Sequence, residues 1–116
     1  MITTINRNAL ILFPAKPLTD WVNIIFDDSP TEEIRVMGHD EGNIYLIPDS
    51  DSTEESLKWL KKNYKEIFEE ELFGWCTDDS QWPEDLSWEV FCSWFHFSIQ
   101  SMVFDASKGP IRREQL

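Results

Sequence analysis

The sequence predicts an α/β or α+β fold, a single compact domain in which a small two- to three-stranded sheet is covered by three helices. Three observations lead there. Two short, continuous apolar runs, at residues 9–13 and 44–47, each stop at a proline, as buried strands do. Leu57, Leu60, Tyr64, Ile67, Phe68, Leu72 and Trp75 recur at helical spacing. A second helical pattern begins at Trp88 and continues through Phe91, Phe95, Ile99 and Met102. A chain of 116 residues holds one domain and buries enough surface to fold without disulfide staples. Residues 1–110 are expected to form that domain, and residues 111–116, beyond Gly109 and Pro110, a flexible tail.

The first strand is Ala9-Leu10-Ile11-Leu12-Phe13, closed by Pro14. Pro17 suits the first turn of a helix, where a missing N–H costs nothing, and Asp20 is read as complementing the helix dipole there. Leu18, Trp21, Val22 and Ile25 supply its apolar face, with an end near Asp27-Asp28-Ser29-Pro30. Residues 32–37 fit a strand or a single helical turn; as a strand they would pair with residues 44–47 in a hairpin across the Gly38–Gly42 turn. The strand, helix, strand order from residue 9 to residue 47 favours a parallel pair joined by a right-handed crossover.

Ser52 followed by Glu55 matches a capping box, so the long helix should begin there. Its polar face passes from Lys58, Lys61, Lys62 and Lys65 to Glu66, Glu69, Glu70 and Glu71. That order opposes the helix dipole, because the acids sit towards the C-terminal end, and each misplaced charge costs a few tenths of a kcal/mol unless a cation meets it. After a connecting segment with Asp78, Asp79 and Trp82-Pro83 as breakers, a third helix should start near Ser87 and run to about residue 104, although residues 99–104 also suit a strand.

Between Lys65 and Lys108 the chain has 42 residues without Lys or Arg, but ten acidic residues, four tryptophans and six phenylalanines. The net charge of −12 and a pI near 4.4 disfavour nucleic acid and bare membrane as partners, since both are anionic. The same field attracts a basic protein. Two cysteines make no disulfide framework, no apolar stretch approaches membrane-spanning length, and the run at residues 9–13 is too short for a secretory signal; a cytoplasmic location is expected.

Candidate chemistry is sparse. Cys92 and His96, four apart on the expected third helix, have a spacing able to contribute two metal ligands or an imidazole-activated thiolate. A buried cysteine beside a histidine explains the pair more simply, and we assign no metal, no cofactor and no catalytic residue. Phosphate-binding glycine loops, nucleophile elbows and dinucleotide fingerprints are absent from a chain with only four glycines. The binding candidates are Glu66, Glu69, Glu70, Trp75, Asp78, Asp79 and Trp82, where acids surround aromatic residues of the kind that anchor protein interfaces. Trp82-Pro83 also suits a structural plug between the second and third helices.

Lys16-Pro17-Leu18-Thr19-Asp20-Trp21, Ile44-Tyr45-Leu46-Ile47-Pro48, Glu66-Ile67-Phe68-Glu69-Glu70-Glu71-Leu72 with Trp75, Asp78, Trp82 and Pro83, and Phe91, Trp94-Phe95 and Ser101-Met102-Val103-Phe104-Asp105 carry a likeness. With these residues, across nearly the whole chain, the protein resembles a family of small acidic bacterial proteins of unknown function. The resemblance implies a bacterial, cytosolic, single-domain protein and brings no activity or site residues. In size and charge alone the chain is also similar to barstar-like inhibitors, which neutralise a basic nuclease through carboxylates. The functional expectation is a non-catalytic acidic module that engages a basic protein. The alternatives are a small enzyme or metal-dependent protein using Cys92, His96 and nearby carboxylates, and a homodimer whose surplus aromatics are buried between subunits.

Overall fold

The computed structural model describes residues 1–26 and 42–116. Its elements are β1 (Thr3–Thr4), β2 (Arg7–Pro14), α1 (Lys16–Ile25), β3 (Asn43–Pro48), α2 (Thr53–Trp75), a 3-10 turn (Asp79–Gln81), α3 (Trp88–Trp94), β4 (Phe95–Gln100) and β5 (Phe104–Asp105). β2 lies between β3 and β4 in a three-stranded sheet, and β1 pairs with β5 in a separate ribbon. The fold is thus a mixed α+β single domain, with three helices among the described residues, as the apolar patterns predict. The expected strand at residues 32–37 lies outside the described residues.

Strand periodicity decides which face of the sheet is buried. Leu10 stands opposite Tyr45 and Ile99, and Leu12 opposite Asn43 and Phe97, so these six side chains share the face turned to the helices. Leu10 and Leu12 are fully buried there. Ile11, between Ile44 and Ser98, points to the other face, where Ile44 remains 67% exposed. The core behind the sheet centres on Phe68, whose ring meets Phe91 at 5.6 Å, Phe95 at 5.6 Å and Trp94 at 5.9 Å.

The strand pairing and the length of the third helix depart from expectation, each for a physical reason. β2 and β3 are antiparallel, so the expected parallel pair with its right-handed crossover is not formed. α1 packs towards α3, with Trp21 and Trp94 rings 5.9 Å apart, and the chain re-enters the sheet opposite Leu12, near the end where β2 leaves it. The order of elements cannot distinguish a crossover from such an excursion and return. The third helix also stops at Trp94 rather than near residue 104. Phe95, Phe97 and Ile99 alternate with His96, Ser98 and Gln100, and pairing against β2 satisfies their backbone groups as a strand. Phe91 and Phe95 are buried under either pattern, so their spacing of four fits a continuing helix as well as the start of a strand.

The caps follow the sequence more closely. Ser52 Oγ accepts a hydrogen bond from the Glu55 backbone N–H at 3.2 Å, and Ser87 Oγ does the same for Val90 at 3.2 Å. Asp20 is not in the first turn of α1; it forms an exposed ion pair with Lys16 at 2.9 Å, an arrangement of small energetic weight. Asn8 is buried where β2 begins, and its amide donates to Ser56 Oγ at 2.9 Å, tying the strand to the start of α2.

Gly42 marks the entry to β3. A Cβ there would lie 2.8 Å from Phe13 Cδ1 and 2.9 Å from the Leu12 carbonyl oxygen, so backbone as well as side chain would have to move. Gly42→Ala is expected to lower unfolding free energy by about 1–3 kcal/mol, the usual range for overpacking. Urea denaturation followed by tryptophan fluorescence measures it, and an unchanged midpoint would contradict this close approach.

Candidate functional site: an acidic cleft beside an edge strand

β3 is an edge strand, and among the described residues it pairs only with β2. α2 runs beside it, and two adjoining hollows of about 450 and 230 Å³ open there, sharing Tyr45 and Glu70 as walls; Pro14 and Leu116 complete the lining of the larger one. Helical geometry explains the acidic side. Trp59, Glu66 and Glu70 recur at seven and four residues, so they lie on one stripe facing the cleft. Trp75 and Gly74 extend the wall at the end of α2. No Lys, Arg or His lines either hollow.

Glu71 lies next to this stripe and is turned towards the sheet, where only 7% of it is exposed. Alternate residues of β3 reach it: Asn43 Nδ2 donates to Glu71 Oε2 at 2.7 Å, and the Tyr45 hydroxyl donates to the same oxygen. A buried carboxylate requires such donors, because the loss of water is otherwise uncompensated. Burial pushes the Tyr45 hydroxyl well above its ordinary value, and the hydrogen bond to Glu71 and the charges of Glu71 and Glu70 push it in the same direction.

This upward shift has a definite sign in stability. Above the ordinary tyrosine value of about 10, an unfolded chain loses the phenolic proton while the folded one keeps it, so ionisation favours unfolding as pH rises. The stabilising contribution of Tyr45 is full below pH ~10 and declines above it. Tyr45→Phe should therefore show a shallower loss of stability over that alkaline range, measured by thermal melts at several pH values. Equal slopes for the two proteins would contradict the Tyr45–Glu71 contact.

The structure divides the predicted binding residues. Glu66, Glu70 and Trp75 line the cleft, with Trp75 37% exposed. Glu69 is half-buried and does not line it. Asp78 organises the loop: it accepts from the Ser80 hydroxyl at 2.6 Å, the Ser80 N–H at 3.1 Å and Gln81 Nε2 at 3.3 Å, contacts that hold its carboxyl below the usual range. Asp79 opens the 3-10 turn and is exposed. Trp82 packs against the core and donates from Nε1 to the Cys76 carbonyl at 2.8 Å, as befits a plug. Trp21 Nε1 donates to the Gln81 carbonyl at 3.0 Å, so two indoles fasten this loop.

Tyr45, Asn43, Trp59, Glu71 and Gly74 were not among the predicted site residues. Glu71 had a legible signal: it lies three and four residues after Phe68 and Ile67, and so on the apolar side of α2. The pairing of that side with β3 was not legible.

The expected proximity of Cys92 and His96 on one helix is not formed. Cys92 is on α3, whereas His96 is on β4, opposite Phe13 on the sheet face away from the helices. Cys92 is exposed, so the expected buried cysteine beside a histidine is not formed either; partial desolvation and the charge of Glu89 raise its thiol, against a smaller opposite effect of Lys61, and nothing here activates it as a thiolate. Among the described residues no three His, Cys, Asp or Glu side chains gather as a metal site, and no helix is long and apolar enough to cross a membrane.

No family model, curated protein or solved structure matches this chain. Its function has to be read from the cleft itself.

Proposed function

We propose that the protein is a non-catalytic binding module that engages a basic protein through the cleft between β3 and α2. The supporting observation is the convergence of Glu66, Glu70 and Glu71 with Trp59 and Trp75 on one cleft whose lining contains no basic residue. The last turn of α2 also carries no basic residue, so a cation brought by a partner relieves the unfavourable alignment of acids and helix dipole. Exposed Ile44 and Leu46 beside the cleft add apolar area to the charged contact. Both cysteines are free, in keeping with a cytoplasmic setting for this module.

The test is capture of basic proteins on the immobilised chain at low salt, followed by release at high salt. Retention that is lost from a Glu66→Lys, Glu70→Lys double variant supports the proposal. Retention unaffected by the double variant contradicts it.

A further inference from the structure

The cleft has three features that exceed a general negative charge. Glu71, buried at its base, receives both of its hydrogen bonds on Oε2; Oε1 receives none from any described residue. Glu71 lines the larger hollow, and a donor supplied there from outside can bond the oxygen left over. Gly74 is the penultimate residue of α2 and lines the larger hollow. Packing does not require it, since a Cβ at this position would meet nothing within 4 Å, but its absence keeps the cleft open. Trp75 supplies an aromatic surface on the same wall.

We propose that the larger hollow is a receptor for the guanidinium group of an arginine side chain on the partner protein, a specification that rests on the protein-binding reading above. Guanidinium carries five donors in a planar fork, so one group can serve both Glu71 Oε1 and the Glu70 carboxylate. Its flat faces stack on indole, and it gives up water more readily than an ammonium does. Lysine offers a compact, strongly hydrated charge and gains less from this combination.

The experiment compares fluorescently labelled peptides of alternating arginine and glycine, or lysine and glycine, at equal length and salt. The wild-type protein is expected to bind the arginine peptide at least fivefold more tightly. Gly74→Leu, which fills the hollow from a position with open space around it, should abolish that preference while the melting temperature is retained. Glu71→Gln, which keeps an acceptor for Tyr45 and Asn43 but removes the charge, should reduce it. Equal binding of both peptides by the wild type, or a preference that persists in Gly74→Leu, overturns the arginine receptor while leaving a general acidic binding surface. Failure to bind either peptide overturns the protein-binding reading, and this inference with it.

Discussion

Phe68→Ala is expected to reduce the unfolding free energy by about 3–5 kcal/mol, the range for removing a large buried aromatic side chain. Phe68 is completely buried, and its ring touches three others, from α3 and the start of β4, so truncation leaves a cavity bounded by two helices and the sheet. Domains of this size have a total stability of roughly 5–15 kcal/mol, so a substantial fraction would be lost. Phe73→Ala is the internal comparison, because Phe73 lies on the same helix but is 52% exposed. Its cost should be within about 1 kcal/mol of zero, as for most surface changes. Denaturant unfolding of both variants checks the assignment; similar losses would mean that α2 does not bury the face described.

The second large effect concerns binding. Glu66→Lys combined with Glu70→Lys should weaken the affinity for an arginine-rich peptide by about 10- to 100-fold, equivalent to roughly 1.4–2.8 kcal/mol. Attraction is replaced by repulsion on the stripe of α2 that faces β3, and the dependence of affinity on salt should flatten at the same time. A control with the same change in net charge, Glu84→Lys with Glu89→Lys, alters exposed residues that do not line the cleft. It should leave most of the affinity in place. Equal losses in the two double variants would indicate attraction by net charge alone.

Individual residues show what sequence could convey. Leu10 and Leu12 announced a buried strand because an apolar run closed by Pro14 has few other uses, and Ser52 announced the start of α2 through its cap. Phe91 and Phe95 misled because the last turn of a helix and the first residue of a strand can both be buried at a spacing of four. Trp82 and Asp78 have the composition of a binding loop, but their hydrogen bonds are local and hold the loop in place. The cleft depends on the antiparallel pairing that sets Asn43 and Tyr45 against Glu71. Such non-local register has no counterpart in the periodicity of either segment alone.

The most direct measurement is a nuclear magnetic resonance titration of the labelled protein with the arginine-glycine peptide, following backbone amide shifts. Binding in the cleft predicts the largest shifts on β3 at residues 43–47 and on α2 at residues 66–75, together with the indole signals of Trp59 and Trp75. The largest shifts instead at a separate acidic hollow, formed by Asp49, Ser50, Asp51 and Glu55, or at the Asp78–Asp85 loop, would contradict the cleft as the binding site.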